Sequence, residues 1–133
     1  MPIMRAFFAF CRDYQRAHGF RCDLLNVGYR IAADQTPLFS YSFDGTVMTL
    51  DPVTTGSAGW DEFLVAYNAF CSEHGGVPLF NQSKWLTRAQ VQKAFGQRID
   101  ALWRLKTEYD PNDRLLNSYF REMFAPDGDA SAR

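Results

Sequence analysis

Apolar side chains recur every three or four positions at Met4, Phe7, Phe8, Cys11 and Tyr14, with Gly19 as a left-handed stop, so the spacing predicts an amphipathic helix over 4–18. From residue 20 to 33 the pattern changes to period two: Val27, Tyr29 and Ile31 alternate with Gly28 and Arg30, which predicts a strand. Two further short runs, 38–43 and 46–50, flank Asp44-Gly45, a dipeptide suited to the positive backbone angles of a tight turn. An antiparallel hairpin is expected there. Helical spacing returns at Trp60, Phe63, Leu64, Tyr67, Phe70 and Cys71 and ends at Gly75. Thr87 followed by Gln90 is a capping-box signature and starts a helix over 88–95. After Gly96 a second helical face, Ile99, Leu102, Trp103 and Lys106, runs toward Tyr109, where Pro111 stops it. Residues 109–120 then read as a turn followed by an apolar anchor, and 126–133 as a polar tail that frays.

This order predicts an α+β fold over 1–125, a small antiparallel sheet covered on one face by helices. The other sheet face still carries aromatic candidates at Tyr29, Phe39 and Tyr41, which suggests a missing partner.

Composition narrows the function classes. The chain has 133 residues, enough for one real core, and 47% are hydrophobic and 16% aromatic, so a packed fold is expected rather than a disordered one. A net charge of -1 with interspersed signs gives no basic stripe, and a nucleic-acid partner is not expected. Cys11, Cys22 and Cys71 lack metal-ligand or disulfide-framework spacing, so reduced thiols in the cytoplasm are the expectation, with no metal. Neither a signal peptide nor a membrane span is read at the N-terminus.

Candidate chemistry is sparse. His18 and His74 fall at helix ends, where an imidazole complements the dipole, and Asp13, Asp61, Glu62 and Glu108 fall at helix starts or on polar faces. No phosphate-binding glycine motif is present. Ser83 beside Lys84 has no visible third group to orient it. Lys84 itself follows an uncharged run over 75–83 and precedes Trp85; a poorly hydrated ammonium there would suit a developing anion, whereas the plainer role is a surface lysine with its stem on the indole.

The stretch "PLFNQSKWLT" and the ordered set Phe95, Gly96, Arg98, Asp110, Pro111, Asn117 and Tyr119 resemble the C-terminal end of FAD-linked oxidases of the vanillyl-alcohol oxidase superfamily, the group with aldonolactone and alditol oxidases. In that family an N-terminal domain holds FAD, and a second domain caps the isoalloxazine ring with an antiparallel sheet that forms the substrate pocket. This chain is similar to the second half only. The resemblance therefore implies a fragment, a truncated product or one subunit of a split enzyme, inactive alone, needing an FAD-binding domain or subunit as partner.

The resemblance also implies site residues. Asn81 and Lys84 match the family's His-x-x-Lys pair, with the imidazole replaced by an amide that can orient a hydroxyl but cannot shuttle a proton. Lys84 would be both catalytic and a flavin contact, and Asn117 a flavin neighbour. The acid and arginine of polyol-oxidising relatives fall at Val27 and Tyr29, and their sheet histidine near Leu50, which argues against a polyol; Tyr29 and Tyr41 would line a less polar pocket. Arg98 reads as helix-surface pairing, and Asp110-Pro111 as the turn that redirects the tail. The implied function is oxidation of an alcohol carbon on a sugar-like or lactone-like substrate. The alternative is a non-catalytic α+β interaction module or remnant.

Overall fold

Helical periodicity becomes two packed helices at one end of the molecule. In the computed structural model, which describes residues 2–125, helix α1 spans Pro2–His18 and α2 spans Trp60–Glu73. Pro2 suits a first turn, where a backbone N–H would have no helical partner, and Gly19 at φ +73° closes the other end by donating to the Gln15 carbonyl. Phe7 is buried, and Phe10 stacks on Phe70 with ring centroids 4.8 Å apart while Tyr14 meets Phe63 edge-on at 5.2 Å. The inward stripe of α1 thus uses Phe10, and Phe8 is turned outward, contrary to the predicted face. Phe20 closes this aromatic cluster against Phe63 and Trp60. A side chain at Gly59 would crowd it, since a Cβ there would lie 3.1 Å from the Phe20 ring.

The second cluster is built by α3 (Arg88–Phe95), α4 (Gln97–Tyr109) and α5 (Ser118–Phe124). The capping box forms as read: Gln90 N donates to Thr87 Oγ1 at 3.3 Å and Thr87 N to Gln90 Oε1 at 2.9 Å. Gly96 takes φ +47° between α3 and α4, a bend that L side chains resist. Leu86, Val91, Phe95, Ile99, Met123 and Phe124 form the buried centre. Asp110 accepts from the backbone N–H of Arg114 and Leu115, which makes the expected turn and holds its carboxyl below the ordinary range. The apolar anchor after it is itself helical, capped by Asn117, whose Oδ1 accepts from Phe120 N at 2.9 Å. The tail expected to fray at 126–133 lies outside the described residues.

The sheet is antiparallel and two-stranded, so the α+β class holds, but its pairing differs from the predicted hairpin. Strand β1 (Arg30–Ile31) pairs with β2 (Val47–Met48), Arg30 opposite Met48 and Ile31 opposite Val47, and Val27 bridges Asp51. Residues 38–43 fold instead into successive turns: Ser40 N reaches the Pro37 carbonyl and Phe43 N the Ser40 carbonyl. Serine hydroxyls compete with a ladder for backbone N–H groups, and Ser42 N donates to Ser40 Oγ. The turns also free Phe39 to enter the core, stacked on Phe124 at 5.1 Å and edge-on to Phe95. Arg98 fastens this loop. It is nearly buried, donates to the Ser40 carbonyl at 2.9 Å, lies over the rings of Phe43 and Phe95, and has Asp44 within 3.7 Å. Its role is therefore to tie loop to helix rather than to pair charges along a helix surface. Among the described residues no helix is long and apolar enough to cross a membrane.

Candidate functional site

The β1–β2 ribbon and α2 together line a hollow of about 1030 Å³. That is at the upper end of the usual size for small-molecule sites. The ribbon contributes Tyr29, Met48, Leu50 and Asp51, the 36–45 loop contributes Tyr41, and α2 contributes Tyr67 and Asn68. The segment joining α2 to α3 supplies Gln82, Ser83 and Lys84. The Tyr67 hydroxyl donates to the Leu50 carbonyl and ties ribbon to helix; burial pushes the phenol well above its ordinary pKa.

Lys84 reaches this position through its backbone. Asn68, a buried polar residue on α2, donates from Nδ2 to the Lys84 carbonyl at 2.6 Å. The next residue, Trp85, has φ +60°, an uncommon conformation for a bulky side chain, and stands 56% exposed outside the hollow's lining. Lys84 lines the hollow with Tyr29 and Tyr41, but it is exposed, so the poorly hydrated ammonium expected from the uncharged run before it is not found.

Asp51 is the carboxylate that sequence reading did not single out. It sits at the far end of the ribbon, and its backbone exchanges two hydrogen bonds with Val27, of 2.9 and 2.8 Å, which fix the residue in the hollow wall. Burial raises its pKa above the ordinary aspartate value, and a hydrogen bond from the Thr49 side chain partly offsets this. Its only sequence signal was the Asp-Pro dipeptide that ends the second hairpin arm, which reads first as a turn. Asn68 was missed as well, because it interrupts the apolar face of α2 without breaking its spacing.

Of the other residues considered from the sequence, His74 and Cys71 also line the hollow, while Asn81, Asn117 and His18 do not. Asn81 is exposed in a turn where both Gln82 N and Ser83 N bond to the Leu79 carbonyl, and it does not line the hollow, so the structure does not pair it with Lys84 there. The Asn117 side chain is engaged in the cap of α5, away from the hollow's lining. His74 caps α2 through Nδ1 and the Phe70 carbonyl at 2.9 Å, and the His18 ring lies 4.3 Å from Tyr14. The thiols are free, and burial raises Cys11 to about 11, far from a reactive thiolate. Among the described residues no group of three or more acidic, histidine or cysteine side chains could hold a metal ion.

For a flavin, the hollow offers aromatic and apolar walls plus two cations, Arg30 and Lys84, which suits contact with a flat ring system that takes up negative charge. Its glycine pair is no phosphate cradle: Gly75 and Gly76 close α2, and a Cβ at Gly76 would lie 2.9 Å from the Cys71 carbonyl oxygen. The residues present therefore fit the ring side of the cofactor only. Compared with protein-family models, with curated proteins and with solved structures, the chain matches none.

Proposed function

We propose that this chain forms the substrate-side face of a cytoplasmic FAD-dependent oxidoreductase that oxidises an alcohol carbon of a sugar-like or lactone-like molecule, working with a separate FAD-binding domain or subunit. The supporting observation is the grouping of Lys84 and Asp51 with Tyr29 and Tyr41 around one hollow. FAD, when bound, supplies two-electron acceptance. The protein's own part is to remove the hydroxyl proton and steady the charge that develops. Asp51, less acidic than an exposed aspartate, accepts that proton in place of the histidine that the Asn81 position lacks. Lys84 offsets the negative charge on oxygen or on the reduced ring. Tyr29 and Tyr41 donate hydrogen bonds to substrate hydroxyls and present apolar ring faces to the carbon skeleton.

The division of labour is checked by titrating the chain into FAD and reading the flavin absorbance. The lone chain leaves the spectrum unchanged, and a shift appears only when the flavin-binding partner is added. Tight flavin uptake by the chain by itself contradicts the proposal. The second reading, a non-catalytic module that binds a protein, is favoured by one feature: Leu25 is 86% exposed and Tyr29 50% exposed on the ribbon.

A further inference from the structure

The ribbon ends in an open edge. Val27 and Asp51 exchange backbone bonds, and the Tyr29 carbonyl accepts from Thr49 N, so Val27 and Tyr29 turn their peptide groups toward β2. In an antiparallel pair these directions alternate, so Gly28 and Arg30 present N–H and C=O groups to the other side. Residues 23–30 are all exposed along that edge. Among the described residues none of the usual protections is found there: no proline, no bulge and no covering helix, with Arg30 the single charge between 24 and 31. The alternating pattern predicts a strand over 20–33, yet the ladder in one chain reaches only from Val27 to Ile31. A two-stranded ribbon is itself marginal in water, and a third strand is what stabilises it.

We infer that this edge pairs with the same edge of a second copy of the chain, antiparallel about a two-fold axis at Gly28, joining the two ribbons into one continuous sheet. Register narrows the choice of axis. The outward peptide groups belong to even-numbered residues, so only even residues can form the new hydrogen-bonded pairs. An axis at Gly28 sets Gly28 against Gly28, Arg30 against Asn26, Tyr29 against Val27 and Ile31 against Leu25. The apolar residues then meet on one face and the polar ones on the other, and the surface of Leu25 gains a cover. Moving the axis to Arg30 places like charges opposite each other, moving it to Asn26 or Val27 sets Asp23 against Tyr29 or Ile31, and moving it to Tyr29 leaves the large Leu25 against the small Ala33. Tyr29 and Val27 also line the hollow, so the second copy extends its wall. This assembly does not depend on the flavin reading.

Sedimentation equilibrium of the full chain over a wide concentration range tests the assembly, together with two variants. Gly28→Pro removes an N–H that faces outward and leaves the β1–β2 ladder intact; Gly28 is not held at positive φ, and a Cβ there meets only the Thr49 carbonyl oxygen at ordinary contact, 3.4 Å. Leu25→Glu changes a side chain too exposed to matter to the monomer. The wild type sediments as a dimer, and each variant weakens the dimer at least about tenfold, roughly 1.4 kcal/mol, with an unchanged circular dichroism spectrum. Amide exchange at Gly28 and Arg30 slows as concentration rises. A wild type that stays monomeric, a dimer indifferent to both variants, or exchange at these amides that ignores concentration each overturns the inference, including the case in which the edge takes a strand from a different protein.

Discussion

A single amide, Asn68, anchors the backbone of Lys84, one of the two cations that line the hollow. Its side chain is buried on α2 and spends a donor on the Lys84 carbonyl, so the Lys84-Trp85 backbone is held in a conformation that Trp85 by itself disfavours. Asp23 does comparable work between loops: it accepts from Thr54 Oγ1 at 2.7 Å, from Thr55 N at 2.9 Å and from the Thr55 hydroxyl. These bonds favour the ionised form and lower its pKa to about 2. The unfolded chain titrates near about 3.9, so the folded state binds the proton less tightly. The contribution of Asp23 is therefore complete above that value and disappears as pH falls toward the folded pKa. Urea midpoints of wild type and Asp23→Asn should differ at pH 6 and converge near pH 2; a gap that stays constant through this window would assign the clasp to something other than the carboxylate.

At the scale of elements, the loop over 36–45 takes part in the core by packing the partly buried Phe39 against Phe80, Phe95 and Phe124. Phe39→Ala should cost about 3–5 kcal/mol, read as a lower urea midpoint, whereas the outward Phe8→Ala should change stability little. Equal effects of the two would mean that the loop does not plug the core. These elements also mark what the sequence discloses. The helices were legible because their signals are local: a 3.6-residue stripe, the Thr87–Gln90 box, Gly96 and the Asp110-Pro111 turn. The strand partner was not, since Asp44-Gly45 suits a hairpin whose first arm is diverted by Ser40, Ser42 and the pull of the aromatic core, and β1 enters from earlier in the chain. Helix α5 was missed because its seven residues are too few to establish a period. Lys84, Tyr29 and Tyr41 were legible as candidates and come to line one hollow. Asp51 was not, for a carboxylate acquires its chemistry from the walls around it, and those exist only once the ribbon has paired.

For the molecule as a whole, two aromatic clusters flank one wide hollow, and the chemistry proposed for it needs a partner that binds the flavin. The central claim is tested most directly by assembling the chain with its FAD-binding partner and measuring anaerobic flavin reduction by a panel of sugar-like and lactone-like alcohols, for wild type, Lys84→Met and Asp51→Asn. The account predicts that one class of alcohol bleaches the flavin, that Lys84→Met slows the step by about 10²–10³-fold, and that Asp51→Asn slows it by about 10²-fold or more while abolishing its low-pH limb. Reduction at the wild-type rate in both variants, or no reduction by any alcohol in an assembly that has taken up flavin, would contradict it.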